Sequence, residues 1–230
     1  MSELIVSSAF FGSVLSLAAY FIGVWMKNRF RLAIFNPILI AVLLCIAFLA
    51  VTGISYDTYY SSARYLGWFL TPATVCLAIP LYEQLSKLKE NFAAICVGIL
   101  SGVLTSLVTV LVIALVFHLT HEQYVTLLPK SVTSPIGMGI AEELGGYPAI
   151  TVPVIIITGL VGNVAAEPFL KLLRVTDPVA KGIAIGSSSH ALGTAKALEM
   201  GEVEGAMASL SIATSGLITV VGASIFAQFL

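Results

Sequence analysis

Charge is the scarcest feature of this 230-residue sequence: Asp, Glu, Lys and Arg together make up 10% of it. A soluble globular domain carries roughly 25%. No polar stretch exceeds a short loop, so no extramembrane domain is expected. The net charge of −1 gives no basis for a nucleic-acid partner. Cysteine is scarce too. Cys45, Cys76 and Cys96 each stand alone in an apolar run, and no CxxC pair exists. A zinc cluster and a disulfide framework are therefore not suggested, and the three are expected to be buried small hydrophobes. The short signatures of catalysis are missing as well, with no GxSxG elbow, HExxH helix or phosphate-binding Gly-rich loop. Ser189 and His190 are sequence neighbours, about 100° apart on a helix, and make no dyad. His118 and His121 lack further ligands for a metal. No enzymatic activity, cofactor or bound metal is expected.

What is abundant is apolar side chain, 58% of the chain. A run of about 20 apolar residues crosses a hydrocarbon core roughly 30 Å thick. Full spans read at 5–26, 35–53, 92–118, 149–170 and 205–228, with a shorter one at 66–82 broken by Pro72 and Pro80. The first is expected to be a retained span, because its positive charge follows the apolar run, whereas a cleaved signal peptide carries it in front. Two further segments, 124–145 and 181–201, are rich in Gly, Ser and Thr. They are too polar to face lipid and too hydrophobic for loops. The expected architecture is a single all-α integral membrane domain over 1–230. It has about six transmembrane helices plus two re-entrant or broken helices in an inverted repeat.

Positive charge in short loops marks the cytoplasmic side. Lys27, Arg29 and Arg31 follow the first span, Lys87 and Lys89 follow the third, and Lys171, Arg174 and Lys181 follow 149–170. The other side carries Asp57 and Arg64, then His118, His121 and Glu122. These sides alternate without conflict when 124–145 enters and leaves on the outer side and 181–201 on the inner side. Each is then a hairpin with arms of about 10 residues, reaching roughly 15 Å to the midplane, and both termini face outward. The alternative is a broken helix that crosses fully.

Laying 131–145 (SVTSPIGMGIAEELG) over 187–201 (SSSHALGTAKALEMG), an offset of 56, aligns Ser131 with Ser187, Gly137 with Gly193, Ala141 with Ala197, Glu143 with Glu199 and Gly145 with Gly201. One crossing separates the copies, so the second is inverted relative to the first. Secondary transporters are built this way, with substrate sites at midplane between interrupted helices.

Both tips are polar, and irregular backbone at membrane depth is tolerated only beside protein or a watery cavity. The first holds Lys130, Ser131, Thr133, Ser134 and Pro135; the second holds Ser187, Ser188, Ser189 and His190. Ser134 before Pro135 reads as an N-cap with a first-turn proline, and a serine of the second tip reads as the cap of a helix running to Met200. Helix N-termini present N–H groups and partial positive charge to an anion. The expected substrate-binding set is Lys130, Ser131, Thr133, Ser134, Ser187, Ser188, Ser189 and His190. Lys130 faces the anion or snorkels to an interface. His190 binds substrate, relays a proton, or serves as a neutral packing donor. Glu142, Glu143, Glu199, Glu202 and Glu204 are expected to be solvated or interfacial. Glu167, which shares a helix face with Asn163 four residues earlier, is expected to form an interfacial ion pair near Lys171, the alternative being a ligand for a coupling ion.

The motifs TGISYDTY (52–59), PLYEQ (80–84), LLPKSVTSPIGM (127–138), ELGG (143–146), GIAIGSSSHALGTAKALEMG (182–201) and EGAMASLS (204–211), with NP at 36–37, resemble the LrgB/CidB family of bacterial membrane proteins. The resemblance spans most of the chain. It implies a multi-pass protein of the bacterial plasma membrane. It also implies one of two functions: holin- or antiholin-like control of murein hydrolases and lysis, or carriage of small monocarboxylates. A plastid relative carries glycolate and glycerate, and bacterial relatives are linked to pyruvate uptake. The expected partners are a small carboxylate, the lipid bilayer, a small LrgA/CidA-type membrane protein that the resemblance implies, and further copies of this chain. Transport is the first reading, because two interrupted segments with polar tips have no purpose in a holin-like pore.

Overall fold

The computed structural model describes residues 8–30, 35, 37–69, 72, 75, 76 and 78–230. Residues 5–7 of the first expected span, Arg31 and Asn36 lie outside the described residues, as do positions 70, 71, 73, 74 and 77 of the 66–82 segment. Every regular element among the described residues is helical. The chain forms two compact units, Met1–Cys76 and Leu77–Leu230.

In the first unit, α1 (Phe11–Phe30) ends on Lys27 and Arg29, α2 is Pro37–Thr52 and α3 is Tyr56–Gly67. Ser55 caps α3 by accepting from the Thr58 N–H. Helix α3 crosses α1 at Gly12, whose missing side chain makes room for Tyr59 and Ala63. The Gly12 N–H donates to Ser62 Oγ at 2.7 Å and Ser13 Oγ donates to the Ser62 carbonyl at 2.6 Å. These bonds satisfy hydroxyls where lipid offers no partner.

The second unit holds α4 (Ala78–Glu83), α5 (Leu85–Glu90), α6 (Phe92–Val116), α7 (His121–Leu127), α8 (Ser134–Glu143), α9 (Pro148–Leu172), α10 (Pro178–Met200) and α11 (Glu202–Phe226). Among the described residues, three helices are long and apolar enough to cross a membrane: Phe92–Val116, Pro148–Leu172, and α11 with its 3-10 extension, Glu202–Phe229. Pro37–Thr52 is a shorter apolar helix. Helix α6 shows why the bilayer is the solvent. Ile95, Ile99, Val103, Leu107, Val110 and Ala114 form its buried stripe, yet Val97, Leu100, Leu104, Val108 and Val112 stand exposed on the opposite side. A helix apolar all round is at home only in a core or in lipid. Cysteine departs from expectation: Cys45 is half-buried, and Cys76 and Cys96 are exposed. Lipid accepts an outward thiol as readily as a packed interior does.

The segment 124–145 folds back on itself. Thr120 and Gln123 close a reciprocal capping box at the start of α7. The chain turns at 128–133, and α8 returns beside it. Gly137 lies beside the Pro129 carbonyl, and Gly146 lies against Thr126 and Val125. The Tyr147 N–H donates to Thr126 Oγ1 at 2.8 Å, tying the exit to the entry. Gly145 takes φ 81°, the left-handed conformation that ends a helix and suits glycine.

Helix α10 is also two arms, joined at His190, whose φ of 41° and ψ of −139° are not helical. A Cβ on Gly193 would lie 3.1 Å from the Ile185 carbonyl oxygen. In a straight helix eight residues separate their levels by about 12 Å, so the arms fold back. Lys181 near the start reaches to 3.8 Å from Glu204, and Gly201 at the end packs against the same Glu204. Asp177 caps the first arm by accepting from the Ala180 N–H at 2.8 Å, with Pro178 in its first turn.

The two halves repeat with inverted sense. Helix α6 (Phe92–Val116) and helix α9 (Pro148–Leu172) start and stop 56 residues apart. His118 and Arg174, again 56 apart, are the positive-φ residues that end them. The bonds that close those ends, Leu119 N–H to the Ala114 carbonyl and Val175 N–H to the Leu170 carbonyl, match at the same offset. A span followed by a hairpin thus occurs twice, at the offset that aligned the two tips in sequence.

Candidate functional site

The hairpins enter the second unit from opposite ends. On α6, Gly98 packs against Ile183 and Gly102 against Ser187, both of the second hairpin. One turn further on, Ser106 Oγ meets Ser131 Oγ of the first hairpin at 3.1 Å. On α9, Gly137 of the first hairpin lies on Thr151 and Ile155. His190 of the second hairpin hydrogen-bonds the Ile155 carbonyl through Nε2 at 2.9 Å, and its ring packs on Gly159. On α11, Gly186 of the second hairpin meets Ala208 and Ser211, and Ile136 of the first meets Gly216. Each of the three long helices therefore touches both hairpins near its own middle, where the two tips converge.

This convergence depends on small residues. Gly98, Gly102 and Ser106 line one face of α6 at four-residue spacing. Gly182 and Gly186 let α10 approach the backbone of Glu204 and Ala208 on α11. Close backbone approach of this kind drives helix association where lipid removes the hydrophobic contrast.

At the first tip, Lys130 Nζ donates to Ser131 Oγ at 3.0 Å, and Ser131 is buried. Lys130 is half-buried, and among the described residues no carboxylate pairs with it. The helix start is one residue earlier than the sequence implied. Thr133, not Ser134, is the N-cap of α8, and Ser134 and Pro135 occupy its first turn. The Thr133 side chain makes no cap bond. This contrasts with Thr120 and Asp177, whose side chains do cap the outer beginnings of both hairpins. The first N–H groups of α8 thus face the tip with no side-chain acceptor from their cap residue.

At the second tip, the serines do not cap the returning arm. Ser187 Oγ donates to the Ile183 carbonyl at 2.7 Å and Ser188 Oγ to the Ala184 carbonyl at 2.7 Å, both back along the first arm. Ser188 and Ser189 are 3.1 Å apart through their hydroxyls. Serine inside a helix commonly bonds the carbonyl four residues back, and here the arm continues to Ser189, so that alternative wins. The break falls at His190. Because a carbonyl oxygen only accepts, His190 Nε2 carries the hydrogen toward Ile155, leaving Nδ1 as the second ring nitrogen. The packing-donor role is thus the one the geometry displays. The returning arm is held by Asn163, whose Nδ2 donates to the Leu192 carbonyl, and Thr194 Oγ1 donates to the His190 carbonyl at 3.1 Å.

Of the eight expected residues, the structure brings Lys130 and Ser131 together at one tip and Ser187, Ser189 and His190 into the buried interior at the other. Thr133 and Ser134 are half-buried and Ser188 is exposed. Sequence reasoning missed Ser106, which joins Ser131 to α6. Its signal was the small residues Gly98, Gly102 and Ser106, spaced four apart in a helix whose other residues are mostly large and apolar. At the end where the second hairpin enters, Glu167 pairs with Lys171 at 2.8 Å, as expected, and also with Lys196 at 2.9 Å. Glu204 is buried rather than solvated, because Gly182 and Gly201 close over it and Lys181 supplies a counter-charge.

The LrgB-like family matches residues 16–229. The antiholin-like protein LrgB of Bacillus subtilis (strain 168) is 37% identical, over 97% of both chains. Those of Bacillus mycoides (strain KBAB4) and Bacillus cereus (strain B4264) are 39% and 38% identical over 96% of each chain. No solved structure matches the chain.

Proposed function

This chain belongs to the LrgB-like family, and from that premise we propose that it is a secondary transporter of small monocarboxylate anions in the bacterial plasma membrane. The observation that carries the reading is Lys130. Within residues 78–230 the other lysines and arginines are Lys87, Lys89, Lys171, Arg174, Lys181 and Lys196. All of these lie at the end where α6 begins, α9 ends and the second hairpin enters. Lys130 alone sits at a hairpin tip, half-way along the bundle, bonded to a neutral hydroxyl. An ammonium at that depth is costly unless something negative joins it. A transported anion supplies that charge transiently, and the open N-terminus of α8 adds N–H donors and a partial positive charge. Because Lys130 lies where the two inverted hairpins converge, the site is reachable from either side by moving one hairpin at a time. The basic end is the cytoplasmic one.

Partners in this reading are the substrate, the bilayer and a small LrgA/CidA-type membrane protein. The test is uptake of radiolabelled pyruvate, glycolate and glycerate into liposomes holding the purified chain, with and without that small protein. Saturable uptake that Lys130→Gln abolishes is the expected result. A second reading, antiholin-like control of lysis, is favoured by the printed names of the Bacillus relatives. Absence of uptake under both conditions, together with altered murein hydrolase activity in cells, replaces the first reading with the second.

A further inference from the structure

The two hairpins are secured differently. The returning arm of the second is fastened along α9 by three polar links in register: His190 Nε2 to the Ile155 carbonyl at 2.9 Å, Asn163 Nδ2 to the Leu192 carbonyl, and Lys196 Nζ to Glu167 at 2.9 Å. The last is ionic, and it extends to Glu199 at 3.5 Å and, through Glu167, to Lys171 at 2.8 Å. Lys196 is largely covered, with 16% of its side chain exposed, whereas 40% of Glu167 is open to the surroundings. Among the described residues the first hairpin makes no ion pair; it is tied by neutral hydrogen bonds, Thr126 to Tyr147 and Thr151, Tyr124 to the Phe226 carbonyl, and Ser131 to Ser106.

We propose that Glu167 and Lys196 form an ionic latch. The latch closes the basic end of the transporter by holding the returning arm of the second hairpin against α9. Exposing the tip site to that end requires its rupture, so Glu167 and Lys196 act as positioning residues for the His190 tip. The proposal rests on the transport reading for its purpose, though not for its geometry. A carboxylate that already serves Lys171 at the helix end gains nothing in local helix stability from a second lysine on another arm. What the second contact adds is a crosslink between two elements, in the partly desolvated setting where a pair is stronger than at an open surface.

The experiment measures the distance between spin labels at Ala195→Cys on the returning arm and Leu172→Cys at the end of α9. Both positions are exposed, and the chain is first freed of Cys45, Cys76 and Cys96 and placed in liposomes without substrate. One narrow distance population is expected. Glu167→Gln and Lys196→Gln each add a longer population, several-fold more abundant than in the parent, and the double variant adds no more than either single one. Raising salt to about 1 M, where screening reaches contact range, broadens the parent and leaves the Glu167→Gln variant unchanged. Distance distributions identical in parent and both single variants overturn the latch, as does an additive double variant. Since no substrate is present, that failure leaves the transport reading standing. Loss of uptake in Lys130→Gln, in turn, tests that reading alone.

Discussion

His190 Nε2 donates to the Ile155 carbonyl oxygen over 2.9 Å, while the Ile155 side chain lies on Gly137 of the opposite hairpin. One residue of α9 therefore meets both hairpins, one through its backbone and one through its side chain. The histidine reaches this position at the cost of a left-sided φ of 41°, a conformation that strains any residue but glycine by on the order of 1–3 kcal/mol.

That strain gives a clean comparison. His190→Gly relieves the backbone and His190→Ala does not, while both remove the ring. The glycine variant is expected to melt higher than the alanine variant, the gap being about 1 kcal/mol, with uptake reduced in both. Thermal unfolding in detergent, monitored by fluorescence-detected size exclusion, measures it. Equal melting of the two would mean that the backbone at 190 is not strained.

Glycine packing at the second tip makes a stability prediction. A Cβ at Gly159 would collide with the His190 ring and one at Gly162 with Ser189. Alanine at either is expected to cost about 1–3 kcal/mol, the usual penalty for overpacking. Gly139 of α8 has nothing within reach of a Cβ, so Gly139→Ala is the control and gains up to about 1 kcal/mol from helix propensity. The same melting assay reads all three, and a neutral Gly162→Ala would contradict the close approach of α9 and α10.

An aspartate at the first tip imitates the substrate. Ser134 is half-buried in the first turn of α8, where a negative side chain suits the helix end. Ser134→Asp is expected to fold normally and to block uptake of carboxylates. Full uptake in this variant would remove the tip from the anion's path. Ser189 offers no such test, because its side chain is pressed against Gly162.

Topology is open to labelling. Cysteines at the exposed positions Glu122 and Glu143 should react with an impermeant thiol reagent from one side of the membrane, and those at Asp177 and Glu202 from the other. Reaction of Glu122→Cys and Glu143→Cys from opposite sides would show that 124–145 crosses the membrane, and would end the hairpin assignment.

The long apolar runs determined that the chain is helical and belongs in lipid: a chain that is 58% hydrophobic finds its solvent there, and runs of about 20 residues satisfy their backbone within themselves, whereas the strands of a barrel are runs of about 10. The alternation of basic loops pointed to two segments that return to the side they left, with a fully crossing broken helix as the alternative. The 56-residue offset between the tips was readable because inverted copies keep their glycines where arms must touch. Three-dimensional packing decided the rest. The cap of α8 moved from Ser134 to Thr133, and Ser187 and Ser188 of the second tip turned to carbonyls behind them, because a hydroxyl chooses between nearby backbone partners only when the arm's end is fixed. That end, at His190, is set by the Ile155 carbonyl 35 residues away. Ser106 meeting Ser131, Lys196 meeting Glu167 and Glu204 sealed by Gly182 are likewise contacts between elements. Each follows from which faces of α6, α9 and α11 come together, and one-dimensional spacing carries no term for that.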